Sequence, residues 1–298
     1  MSPPSSEVTE AAPPVGDSAL APTEAVAPQV RKPSPWNFLR TLRVRIGAEQ
    51  LQLEVLEGRG NSRRLAGLTQ ANTDAQGAAR AAPTDLVQAA AALAPALAAL
   101  AAQWQSLGGR SLRGMRCEIV IDDSWMLYDV VRADLRGLSP NAADSLINAS
   151  LADVAGVDAS ELTSRWHAQG ESPYTVACGM PAGTMPVLLE ALAAHGIELV
   201  CVEGEFIAAV NRYRDTLEPS CAVIAVVRDA GAQLGVMIDG VLRAMSFEYG
   251  VGNPKELETR GRGLLRAVGL GAPEPIRYYA ISAAGEAAPE PWIGLAAT

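Results

Sequence analysis

Residues 221–250, CAVIAVVRDAGAQLGVMIDGVLRAMSFEYG, read as three strands in a row, and such a meander commits the chain around it to a sheet. Residues 222–227 form an unbroken apolar run with Val and Ile, the pattern of a strand covered on both faces. Asp229-Ala-Gly231 supplies a turn, and residues 234–238 the second strand. Asp239-Gly240 follows; a type I′ turn needs positive φ at both central residues, which favours this dipeptide between apolar strands. Residues 241–247 form the third strand, closed by Gly250. A weaker copy stands near the start: 42–46, the turn Gly47-Ala-Glu49, 51–56 and Glu57-Gly58. Two meanders, each leading into helical sequence, predict two related α/β lobes.

The 298 residues accommodate two domains or one domain of two lobes, and a hydrophobic share of 49% is enough to fill their cores. A net charge of −9 opposes nucleic-acid binding, which needs clustered Lys and Arg, and opposes docking on anionic lipid. Cys117, Cys178, Cys201 and Cys221 each lie in or beside an apolar strand-like run and form no CxxC pair; with only His167 and His195 to join them, they read as buried thiols of a reducing cytoplasm. Residues 1–35, rich in Pro, Ala, Ser and Glu, are expected to be a disordered tail, or else a tether or partner-binding segment. They lack the basic start and apolar core of a signal peptide. The Ala-rich stretch 86–102 comes closest to a membrane span, but Gln88, Pro95 and Gln103 dilute it, and it reads as a packed helix.

The remaining chain parses as strands and helices in alternation. A short third strand is expected at 65–68, then a helix from 86 to about 107 after the N-cap signal Thr84-Asp85, bent at Pro95. Residues 116–131 read as a strand, a turn at Asp122-Asp123-Ser124 and a return strand. Ser139-Pro140 starts a helix to 154; strands follow at 162–167 and 174–180. A helix is expected from Pro181 to His195, stopped by Gly196, then a strand at 197–202. Residues 203–217 read as a helix with Phe206, Val210 and Tyr213 on one face. After the meander come a helix at 254–268 and a last strand at 275–281. The regions are therefore a tail (1–35), a first lobe (36–115), a middle α/β region with an inserted subdomain (116–220), a second lobe (221–284) and a loose end (285–298).

Four passages in this order carry a family likeness: Ile119-Val-Ile-Asp-Asp-Ser-Trp125-Met-Leu-Tyr128; Val176-Ala-Cys-Gly-Met-Pro181 leading into a helix; Gly196-Ile-Glu-Leu-Val-Cys-Val202 followed by Phe206-Ile-Ala-Ala-Val-Asn211-Arg212; and the meander at 222–247. Over roughly 42–281 the chain resembles the PilM family of type IV pilus assembly and the cytoplasmic domain of the type II secretion protein GspL. The resemblance implies an α/β, actin-like (ribonuclease H-like) two-lobed fold with mixed sheets flanked by helices. It also implies a cytoplasmic scaffold at an inner-membrane platform. Its partners would be the cytoplasmic tail of a PilN-like bitopic membrane protein, other platform proteins, and a second copy in a homo-oligomer.

ATP-using members of that fold cradle phosphates in two Asp/Gly-containing hairpin turns, where a carboxylate helps to hold Mg²⁺. The first turn here, Val44-Arg45-Ile46-Gly47-Ala48-Glu49, has Arg45 where the resemblance calls for Asp; an Arg cannot hold Mg²⁺, and Glu49 lies past the turn. The second, Val227-Arg228-Asp229-Ala230-Gly231-Ala232, keeps Asp229 and Gly231 but lacks the Thr or Ser, and a plain hairpin turn explains it too. Gly250-Val-Gly252 and Gly261-Arg-Gly263 are weak candidates for an adenosine-binding segment. The expectation is a degenerate ATPase-like fold with no cofactor and no enzymatic activity. The alternative is a nucleotide-binding ATPase of the same machinery, with Asp229 and Gly231 at the phosphates and Arg45 contacting them. No GxxxxGK[ST], HExxH or GxSxG occurs, and no GxGxxG opens a helix after a strand. His195 at a helix C-terminus, the Asp122-Asp123 turn, and Glu203 and Glu205 at a helix start all have ordinary structural explanations. A small-molecule kinase of the same superfamily would need a catalytic Asp for which no convincing candidate stands out.

Overall fold

The computed structural model describes residues 40–47, 50–58, 64–72, 86–106, 111–217, 220–228, 230–251, 253–269, 275–282 and 291–296. The expected tail lies outside them. In chain order the strands are β1 (Arg40–Ile46), β2 (Gln50–Glu57), β3 (Arg64–Asn72), β4 (Arg116–Ile121), β5 (Leu127–Val131), β6 (Leu162–Ala168), β7 (Thr175–Pro181), β8 (Glu198–Gly204), β9 (Cys221–Arg228), β10 (Gly231–Ile238), β11 (Val241–Tyr249), β12 (Arg277–Ser282) and β13 (Trp292–Ala296). The helices are α1 (Leu86–Ala91), α2 (Leu93–Ser106), α3 (Pro140–Ala155), α4 (Thr184–Ala194), α5 (Glu205–Tyr213) and α6 (Pro254–Ala267).

Two five-stranded sheets share one topology, β3-β2-β1-β4-β8 and β11-β10-β9-β12-β13. Each is an antiparallel meander whose first strand pairs in parallel with a later strand, β1 with β4 and β9 with β12. The duplication read from the two meanders is therefore a duplication of whole sheets. A third, antiparallel sheet of three strands, β5-β7-β6, carries α3 on its face. Asp239 (φ 53°) and Gly240 (φ 73°) make the turn that the sequence predicts between β10 and β11.

The first sheet buries Leu42, Val44, Ile119 and Ile121 against α1, α2 and α4. The stretch 86–106 is apolar and long enough to cross a membrane, yet its Leu86, Leu93, Leu97 and Leu100 pack in this core, none more than 2% exposed. It breaks at Ala92, because Pro95 has no N–H and its ring excludes the carbonyl four residues earlier. On β9, Cys221, Val223 and Ala225 join the core under α6, while Ala222, Ile224 and Val226 join a second core under α5. Covering on both faces explains the unbroken apolar run.

Four expectations change. Residues 122–124 do not make a hairpin: β4 is already flanked by β1 and β8, so the chain leaves the sheet and β5 pairs with β7. Pro181 ends β7 opposite Leu162 rather than opening a helix, and α4 starts at Thr184. The helix expected over 203–217 is shorter, because β8 runs on to Gly204 and α5 ends at Tyr213. Finally, part of the expected loose end is β13, in parallel with β12; Trp292 meets Tyr278 edge-on at 5.2 Å and its indole N–H donates to the Pro254 carbonyl.

Candidate functional site: an internal ion cluster between the two hairpins

The site lies where the ends of β1, β4 and β9 meet the start of α5. The Asp122 N–H donates to the Ile46 carbonyl, which extends the β1–β4 pairing by one step, and the Asp122 carboxylate accepts from Ser124 N–H at 2.8 Å. This short turn sends Asp123 inward, where it is 4% exposed. Gly204 precedes α5 and brings no side chain to cap it. Asp123 takes that role from a distance in sequence: its carboxylate accepts the Phe206 N–H at 2.8 Å and the Tyr128 hydroxyl at 2.5 Å. A Cβ on Gly204 would lie 1.6 Å from the Tyr128 oxygen, so only glycine admits the Tyr128–Asp123 pair beside the helix.

Burial pushes the Asp123 carboxyl up to about 7; its hydrogen bonds to Tyr128 and Phe206 oppose the rise, and the nearby charges of Glu205 and Asp122 add to it. Burial and the adjacent carboxylate hold the Tyr128 hydroxyl well above its ordinary value.

One residue on, Glu205 binds two guanidinium groups. Arg228, at the end of β9, donates to it through Nε at 2.7 Å and through Nη2. Arg45, near the end of β1, places Nη1 3.6 Å from it. Burial, the largest single influence, would lower the Arg228 pKa, but its bond to Glu205 and the charges of Glu205, Asp122 and Asp123 together outweigh it and the net shift is upward. For Arg45 burial prevails, and the shift is downward. Phe206 continues the same tie: it is fully buried, and its ring lies so close to β10 that a Cβ on Gly235 would come within 2.3 Å of Cζ.

The residues singled out from the sequence fare differently. Asp229 lies outside the described residues. Gly231 opens β10 with φ 152°, and a Cβ there would come within 2.2 Å of the Glu248 carbonyl oxygen, so close approach of β11 accounts for this glycine. Gly261 seats α6 on Val223, Gly263 faces open space, and Gly252 is outside the described residues. Both carboxylate oxygens of Asp123 are engaged within the protein, and among the described residues no three His, Cys, Asp or Glu side chains gather as a metal site. Glu205, Arg228 and the Asp123–Phe206 link were not paired from sequence. One signal was available: the two meanders both place Val-Arg just ahead of their first turn, Val44-Arg45 and Val227-Arg228.

No family model and no curated protein matches the chain. Among solved structures, a PilM-PilN type IV pilus biogenesis complex is similar at a TM-score of 0.52 and 15% identity, over 81% of this chain and 81% of that one. A protein of unknown function from Bacteroides thetaiotaomicron VPI-5482, with an actin-like ATPase fold, is similar at a TM-score of 0.51 and 9% identity, over 83% of this chain and 82% of that one. The chain has the actin-like fold. The cytoplasmic domain of EpsL, an inner-membrane component of the type II secretion system of Vibrio cholerae, gives a TM-score of 0.49 at 12% identity over 87% and 90% of the two chains.

An actin-like ATPase presents its two hairpin turns to Mg²⁺ and phosphate. The described residues at the corresponding place do not fit that cation: two guanidiniums flank Glu205, and Asp123 is spent on a helix terminus and a tyrosine.

Proposed function

We propose that the chain is a non-catalytic actin-like scaffold of a bacterial pilus or secretion platform, working in the cytoplasm and docking the cytoplasmic tail of a bitopic inner-membrane partner of the PilN kind. The Arg45–Glu205–Arg228 cluster carries this reading, since it sets the chain's own charges where an ATPase of this fold would hold metal and phosphate. The similarity to a PilM-PilN complex supports the choice of partner. A net charge of −9 suits a basic juxtamembrane peptide, which electrostatic complementarity would steer and orient.

The test pairs two measurements. Millimolar Mg·ATP should leave the melting temperature unchanged, whereas a ligand at 100 times its Kd would stabilise the fold by about 2.7 kcal/mol. The chain should also co-purify with an inner-membrane pilus or secretion protein, and fail to do so once that protein's cytoplasmic tail is deleted. A thermal shift with Mg·ATP that Asp229→Ala abolishes would establish the nucleotide-binding alternative instead.

Glu205→Ala probes the cluster itself. Removing the shared carboxylate leaves two largely buried guanidiniums facing one another, so a loss of about 2–3 kcal/mol is expected in urea unfolding, below the range for fully buried pairs because Arg45 and Arg228 keep some solvent contact. A loss under about 0.5 kcal/mol, the size of an exposed pair, would mean that the cluster contributes nothing to joining β1 and β9 to α5.

A further inference from the structure

The small sheet is fastened to the second lobe by a contact that the ion cluster does not explain. Gln169, in the loop between β6 and β7, donates from Nε2 to the Leu242 carbonyl at 2.8 Å and accepts the Leu242 N–H on Oε1 at 2.8 Å. Its carboxamide thus offers β11 the donor and acceptor pair of a neighbouring strand's peptide group. Leu242 is the residue where this edge strand is irregular: Met237 pairs with Leu242 and Val236 with Ala244, which leaves Arg243 as the extra residue of a bulge. A bulge re-aims side chains, and here the Arg243 guanidinium stands over the Tyr174 ring at 4.4 Å, with Arg132, just after β5, at 5.9 Å from the same ring. The loop is held in shape before it reaches β11. Arg136, itself paired with Asp134, donates to the carbonyls of Gly170 and Glu171.

We propose that this loop is a latch that fastens the inserted three-stranded sheet to the second lobe, so that the two part only when Gln169 releases β11. A preformed loop, a peptide-like clip and a bulge that turns an arginine onto the loop's own tyrosine are separate features converging on one contact.

Amide hydrogen exchange on the full chain, resolved to single residues, tests it. In the native protein the Leu242 amide should be protected although β11 ends the sheet. Gln169→Ala should speed its exchange about tenfold, the equivalent of one hydrogen bond, and leave Leu234 in the centre of β10 unchanged. Tyr174→Ala, which removes no bond to Leu242, should also speed Leu242 exchange. Unchanged protection of Leu242 in Gln169→Ala overturns the proposal. So does an equal rise at Leu234, which would report general loosening.

Discussion

Truncating Phe206 to alanine should lower the unfolding free energy by about 3–5 kcal/mol, the range for a buried aromatic removed from a core that cannot collapse around it. Collapse is hindered because the ring is held from both ends. Its backbone N–H is bound by Asp123, and its edge rests against Gly235 on β10. In urea titrations the midpoint should fall with the slope unchanged. Gly235→Ala approaches the same contact from the other side: a Cβ within 2.3 Å of Cζ forces the ring to shift, at a cost of about 1–3 kcal/mol. The double variant should lose less than the sum, since the alanine methyl enters the space that the ring vacates. Strict additivity, or a loss under 1 kcal/mol for Phe206→Ala, would show that the ring does not join α5 to the second sheet.

Stability should fall as pH rises from about 4 to 8, and Asp123 should cause most of that fall. Its folded pKa of about 7 lies above the unfolded value of 3.8, so the folded chain binds the proton more tightly between them. The stabilisation is complete below the lower value and lost as pH passes through the upper one, and the difference amounts to about 4 kcal/mol. The groups facing this carboxylate are Tyr128, Glu205, Asp122 and Arg228. Arg228 attracts it, but burial and the two other carboxylates prevail; Tyr128 stays protonated throughout the range. Asp123→Asn keeps an oxygen for the Phe206 N–H and presents an amide to the Tyr128 hydroxyl, which can turn to accept. The variant should therefore have a flatter profile and be more stable than the native chain at pH 8. Equal slopes for the two proteins between pH 5 and 8 would refute the assignment.

Local patterns made most of the fold legible. The Asp239-Gly240 turn and the double-faced apolar run of β9 can be read from a few neighbouring residues, and so can the capping Ser139-Pro140 at the head of α3. What failed depended on competition between distant segments. Nothing near Asp122 reveals that both sides of β4 are occupied, so from sequence the turn at 122–124 looks like that of a hairpin. Trp292-Ile-Gly-Leu-Ala296 is a strand only because β12 offers it an edge. The site is an extreme case: Arg45, Asp123, Glu205 and Arg228 are brought together from four elements, and each alone has an ordinary explanation. The sequence places Arg45 where the resemblance calls for Asp. Its partner could not be named without the fold.

The alternation along β9 has a consequence for how the chain finds its register. From Cys221 to Val226 odd and even residues both enter apolar cores, so over that run a slip by one position would exchange Val223 for Ile224 without exposing an apolar side chain. Within that run polarity, which fixes most half-buried strands, gives no penalty, and charge marks the register only at Arg228, through its pair with Glu205. The task passes to shape: the left-handed pair Asp239 and Gly240 at the end of the ribbon, and the gap over Gly235 that admits the Phe206 ring at one step along the sheet and no other. The strand at the centre of the second lobe thus draws most of its accuracy from its neighbours.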